Sequence, residues 1–101
     1  MYQYVSTMQT HHIYKRELVQ HLCQITDPKE MEAALADLLT PKELEDVILR
    51  LQIIKLLDKK IPQRNIAKKL SISIAKVTHG SRMLQEKPKG KGWQWALGRQ
   101  Q

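Results

Sequence analysis

Phenylalanine is absent from this 101-residue chain, and tyrosine and tryptophan together make up only 5% of it. A core of this size cannot be built on large aromatic rings. It must come from Leu, Ile, Ala and Met, and so lean a core is expected to draw on a second subunit for stability. The shortage also argues against a base-stacking platform for single-stranded nucleic acid, since Trp93 and Trp95 would have to supply it alone. Cys23 is the sole cysteine, which excludes an internal disulfide and fits a reducing compartment. No apolar run approaches the roughly 18 residues of a membrane span. The opening segment MYQYVSTMQTHHIYKR lacks the apolar stretch of a secretory signal, so a cytoplasmic chain is expected. His11, His12, His21 and His79 are scattered, without metal-ligand spacing and without a carboxylate placed for acid–base work. The expectation is therefore a single domain that is not an enzyme, holds no metal and requires no cofactor.

What the chain does have is positive charge, and it is concentrated. The net charge is +7, yet residues 59–91 alone hold ten lysines and arginines against one acid, Glu86. The rest of the chain carries seven basic and nine acidic residues and is close to neutral. A nearly neutral body with one strongly basic segment is the electrostatic footprint of a polyanion binder, because lysines and arginines displace counterions from phosphates.

Inside that segment, QRNIAKKLSISIAKVTHG at 63–80 has the pattern of a helix-turn-helix. Ile66, Ala67 and Leu70 share one face of a short helix. Ile72 falls in the turn, and Val77 follows where a second helix must close on the first. Ala67 stands where two helices joined by a three-residue turn come closest, and Gly80 is small again where the second helix meets a neighbour. Ser73 is placed to cap the second helix with its hydroxyl. The same residues also fit an ordinary helical hairpin, but the coincidence of spacing, turn and charge favours DNA binding.

The remainder reads as helix. A polar, mobile lead-in is expected over residues 1–12, then a helical domain over 13–86 and a basic linker with a short Trp-containing tail over 87–101. The first helix is expected over 13–25. Asp27 and Pro28 begin a second helix, with Asp27 as its side-chain cap and Glu30 completing a box-like arrangement. Thr40, Pro41 and Glu43 begin a third that runs to about Lys59. Its apolar residues cover more than one face, which argues for burial on two sides and hence for a dimer. Pro62 breaks the chain before the motif, whose two helices occupy about 63–85. Trp93 or Trp95 is expected to anchor the tail on the body or on a partner subunit. Five to six short helices and an all-α fold follow.

LTPKELEDVILRLQIIKLL followed by QRNIAKKLSISIAKVTHGS resembles the tryptophan repressor family over about half the chain. The resemblance rests on Leu39-Thr40-Pro41 with Glu43, Arg50, Gln63-Arg64, and Ile74-Ala75 through Thr78 and Gly80-Ser81. Thr78-His79-Gly80-Ser81 is one change from the family's Thr-Arg-Gly-Ser. Such a match is more specific than a generic helix-turn-helix. It implies an intertwined all-α homodimer that represses transcription at a double-stranded DNA operator, with L-tryptophan as corepressor in the best-known branch. DNA contacts are then expected at Gln63, Arg64, Ile74, Ala75, Lys76, Thr78 and His79. Lys68 and Lys69 would add nonspecific phosphate attraction. Arg64 suits a guanine edge or a phosphate, and Ile74 and Ala75 suit a thymine methyl. A tryptophan pocket would involve Leu39, Thr40, Arg50, His79, Gly80 and Met83. Here His79 replaces a family arginine, Met83 a serine, and Asp37 a leucine. The segment between Lys59 and Ile66 is one residue shorter than in the tryptophan-responsive branch, a spacing similar to that of a repressor-like branch with no established tryptophan response. Two alternatives stay open: a tryptophan-independent helix-turn-helix regulator, and a nonspecific basic nucleic-acid-binding module.

Overall fold

The structure is a computed structural model that describes residues 7–85 and 93–98. Among the described residues there are six α-helices and no strand, the all-α class expected. The chain divides into two compact units, residues 1–41 and 42–101.

The first unit holds α1 (Thr7–Cys23) and α2 (Pro28–Leu38). Helix α1 begins six residues ahead of Ile13, so positions 7–12 of the expected lead-in are helical; residues 1–6 lie outside the described residues. Its end is tightened by Gln24 N–H donating to His21 O (3.2 Å) and Ile25 N–H to Leu22 O (3.1 Å). At the start of α2 the Asp27 backbone is extended, and its carbonyl accepts from Met31 N–H at 3.0 Å. The expected side-chain cap is not formed: the Asp27 carboxylate bonds no N–H of α2. Asp27 is exposed, so water can satisfy those donors, and Pro28 has none to satisfy. No residue described in this unit is fully buried, and Ile13, Tyr14, Leu18, Val19 and Leu38 are largely exposed.

The second unit holds α3 (Pro41–Asp58), α4 (Gln63–Leu70), α5 (Ile74–Gln85) and α6 (Gln94–Leu97). Its core is a cluster of Ile53 and Leu56 from α3, Ile66 and Ala67 from α4, and Val77 from α5, with Leu57, Ile61, Leu70 and Ile72 packed around it. Ala67 is buried where α4 and α5 approach, as its small side chain suggests. The amphipathic period of each helix explains these choices, but the two turns between the helices decide how the faces meet.

Both turns close in the same way. At the end of α3, Ile61 N–H donates to Leu56 O (3.2 Å) and Lys60 N–H to Leu57 O (2.9 Å), with Lys60 in the left-handed region at φ 67°. At the end of α4, Ile72 N–H donates to Ala67 O (3.0 Å) and Ser71 N–H to Lys68 O (3.3 Å), with Ser71 at φ 55°. This pair of bonds is the Schellman closure, in which the left-handed residue is usually glycine. Each left-handed residue is followed by an isoleucine, Ile61 or Ile72, that packs back onto the core. The apolar contact holds the turn although neither position has the residue the conformation favours. Ser71→Gly is therefore expected to raise stability by about 0.5–1 kcal/mol, the left-handed strain it relieves being partly offset by the freer unfolded chain. Thermal melting checks this, and a lowered midpoint would contradict it.

Helix α4 starts on the Pro62 carbonyl, which accepts from Asn65 N–H (3.0 Å) and Ile66 N–H (3.1 Å). Helix α5 starts on Ser73, whose hydroxyl accepts from Lys76 N–H at 3.2 Å, the cap expected from its position. Beyond α5, the linker and its lysines at 87, 89 and 91 lie outside the described residues. In the tail the Trp93 and Trp95 rings stack with centroids 5.8 Å apart. Trp95 is 73% exposed, so it is not an anchor to the body; Trp93 is half-buried.

Candidate nucleic-acid interface

Helices α4 and α5, joined by the three residues Ser71, Ile72 and Ser73, form the helix-turn-helix that the sequence suggests. Val77 and Gly80 turn inward on α5, and the helical period then puts Ala75, His79 and Arg82 outward. Ile74, Ala75 and Lys76 are exposed at the first turn of α5, Ile74 to 52%. An exposed β-branched apolar residue at a helix start contributes nothing to the core and is free to meet a thymine methyl. Arg64, Lys68 and Lys69 are exposed on α4. Arg82, not singled out from the sequence, adds a further exposed cation one turn beyond His79.

Gln63 and Thr78 are half-buried rather than open. The Thr78 hydroxyl lies 3.0 Å from Gln63 Oε1 and 3.0 Å from the Ile74 carbonyl, and donates toward both. These two expected contact residues thus touch each other across the motif.

Behind the exposed face of α5 lies a cleft of about 300 Å³ against α3. Helix α3 contributes Asp46, Leu49, Arg50 and Ile53; helix α5 contributes Ala75, Lys76, His79, Gly80 and Met83. Four of the six residues expected around a ligand, Arg50, His79, Gly80 and Met83, come together here. Leu39 and Thr40 belong to the other compact unit. The helices come close at Gly80, where an added Cβ would stand 2.6 Å from Ile53 Cγ2.

Asp46 was not expected at this site. Its Oδ1 lies 3.8 Å from Lys76 Nζ, an ion pair joining α3 to the first turn of α5. The signal was present in the spacing: Asp46, Leu49, Arg50 and Ile53 recur at intervals of three and four, so one face of α3 carries them all. Among the described residues, no group of three His, Cys, Asp or Glu side chains is placed to hold a metal ion.

An exposed, basic two-helix element resting on a third helix is the geometry of a DNA reader, and comparison with known families decides which. The family model for the Trp repressor protein matches residues 15–100. The chain belongs to the Trp repressor family. The match covers the helix-turn-helix, the cleft and most of both compact units, and agrees with the resemblance carried by residues 38–84. Comparison with curated proteins and with solved structures returned no significant match. Membership makes this a DNA-binding transcriptional regulator and places it in a regulatory rather than an enzymatic family. No helix among the described residues is long and apolar enough to cross a membrane.

Beside a helix that meets a phosphate backbone, an acid is a local opponent of binding. Asp46 places a negative charge beside a lysine on the reading helix. Asp46→Asn is expected to strengthen duplex binding at low salt and to steepen the salt dependence of log K by up to about one unit, as one more lysine becomes available to a phosphate. Titrations at several salt concentrations check this, and an unchanged slope with unchanged affinity would show that Lys76 does not meet DNA.

Proposed function

We propose that this Trp repressor family member is a sequence-specific transcriptional repressor that binds a double-stranded DNA operator as a homodimer in the cytoplasm. The observation that carries the reading is the exposed first turn of α5, where Ile74, Ala75 and Lys76 stand clear of the core in the most basic part of the chain. Outward side chains at the start of a second motif helix are the group that reaches base edges in the major groove. Arg64, Lys68 and Lys69 are exposed on the neighbouring helix, where their charges can attract phosphates.

The dimer is supported by what a single chain leaves bare. Ile13, Tyr14, Leu18 and Val19 on α1, and Val47 and Ile48 on α3, are exposed large apolar residues in a molecule with few of them to spare. A twofold pair would present two reading helices to half-sites about one helical turn, roughly 34 Å, apart. Selection from a random pool of duplexes tests both parts. Enrichment of a palindromic site is expected; binding without sequence preference, or a nonpalindromic site, speaks for the nonspecific basic module instead.

The cleft between α3 and α5 is the place for a corepressor, and L-tryptophan is the ligand proposed. Arg50 offers a guanidinium to a carboxylate, and a ligand bridging the helices would bias the angle of α5. One observation favours a tryptophan-independent regulator: the Asp46–Lys76 pair already ties α3 to α5 without any ligand. Calorimetry with L-tryptophan separates the two readings. Saturable heat supports the corepressor, and no heat at millimolar ligand leaves the ligand-free regulator.

A further inference from the structure

We propose that Thr78 acts as a positioning residue, holding the Gln63 carboxamide so that its NH2 group donates to one phosphate oxygen of the duplex. The proposal rests on the DNA-reading function above and differs from the expectation that Thr78 itself contacts DNA.

The geometry starts from a count of protons. A threonine hydroxyl has one, and here two acceptors stand 3.0 Å away, the Ile74 carbonyl and Gln63 Oε1. The two acceptors share that proton in a three-centre contact, and the first, four residues back along α5, is an ordinary partner for a helical threonine. The second spans fifteen residues and joins the first residue of α4 to the second turn of α5. It engages Oε1 of Gln63, and because the carboxamide is planar, Nε2 takes the opposite edge. That nitrogen has no hydrogen-bond partner among the described residues.

A glutamine on a helix start has three free torsions and would ordinarily sample several directions. Tethering one edge removes most of that freedom before DNA arrives, so less ordering entropy is lost on binding. Phosphate oxygens only accept, so an approaching backbone favours the orientation in which Oε1 faces Thr78 and the NH2 faces away. Neighbouring Arg64, and Lys76 on α5, are exposed and bring the strand close by charge. The neutral amide then fixes register. Thr78 is half-buried with its proton already engaged, which leaves it no donor for a phosphate of its own.

The test uses the 101-residue chain and a labelled duplex that the wild-type protein enriches from a random pool. Thr78→Val keeps the β-branched shape and removes the hydroxyl. Thr78→Val and Gln63→Ala are each expected to weaken binding about tenfold, the value of one hydrogen bond to a charged oxygen. The double variant should lose the same roughly tenfold rather than a hundredfold, and Thr78→Ser should restore binding to within about twofold. Gln63→Glu, which keeps an acceptor for Thr78 but replaces the outward donor with an acceptor, should bind at least as poorly as Gln63→Ala. Single methylphosphonate substitutions add a readout that loss of structure would not move: one phosphate matters to the wild type and to Thr78→Ser, and that same phosphate becomes indifferent in Thr78→Val and Gln63→Ala. Additive losses, or wild-type affinity in Thr78→Val or Gln63→Glu, overturn the positioning role while leaving the DNA reading intact. A wild-type chain that enriches no duplex overturns both.

Discussion

Replacing Ile66 with alanine is expected to cost about 2–5 kcal/mol, the range for truncating a fully buried isoleucine. Ile66 is 0% exposed and lies in the five-residue cluster that α3, α4 and α5 share. A chain of this size has roughly 5–15 kcal/mol in total, and this one has few buried apolar side chains to draw on. The expected fall in melting temperature is at least about 10 °C, with loss of duplex binding at temperatures the wild type tolerates. Neighbouring Lys68 supplies the control: it is exposed, and Lys68→Ala should stay within about 0.5 kcal/mol of wild type. A midpoint for Ile66→Ala that matched the Lys68 control would mean the described core is wrong.

Gly80→Ala is expected to weaken both DNA binding and stability. Two effects on stability oppose each other. Alanine in a helix interior gains about 0.5–1 kcal/mol over glycine. The new Cβ, however, would sit 2.6 Å from Ile53 Cγ2, and forcing extra volume into a packed site costs about 1–3 kcal/mol. Ile53 cannot easily turn away, because it is buried and its β-branched side chain is stiff. The net is a loss of about 0–2.5 kcal/mol, and relief of the clash pushes α5 off α3. Losing one or two base contacts, each worth about 1–3 kcal/mol, weakens binding at least about tenfold. The second-site test is specific. Ile53→Leu moves the branch point outward and removes the blocking methyl, so it should restore binding in the Gly80→Ala background. Ile53→Val retains a methyl at the blocking position and should not. Rescue by valine, or wild-type binding by Gly80→Ala alone, refutes the close-approach argument.

These two substitutions act on residues that the sequence had already singled out, and the reason is the same for both. Buried positions in short helices repeat at three and four residues, so Ile66, Ala67, Leu70 and Val77 could be assigned to one side before any coordinates. Gly80 could be read as a close approach because a glycine in mid-helix has a local cost that packing must offset. Prolines marked the starts of α2 and α3 and the break before α4, since each is tolerated only there. The start of α1 is not legible in the sequence: residues 7–12 are mostly polar and offer no proline. The side-chain cap expected at Asp27 is absent because a capping residue type is permission to bond, not a bond. The turns at Lys60 and Ser71 were hidden for a related reason. Their left-handed backbone is normally announced by glycine, and here it is held by the isoleucine that follows.

The site divides along similar lines. Its exposed basic residues are legible because charge and side-chain type are properties of single residues, and the basic stretch at 59–91 needs no fold to be seen. The cleft was legible in part, through Arg50, His79, Gly80 and Met83, while the Asp46–Lys76 pair and the Thr78–Gln63 contact were not. Each joins residues at least fifteen positions apart on different helices, so no local period contains it.

The amino-acid order by itself determined that this chain is helical, which face of each motif helix turns inward, and where positive charge gathers, because all three depend on neighbours within one or two turns. Tertiary structure alone decided that the amide of Gln63 is tethered, that an acid stands against the reading helix, and that α3 and α5 enclose a cleft. Those features depend on the angle at which helices cross, and that angle is set by the sum of many small contacts between residues far apart in the chain.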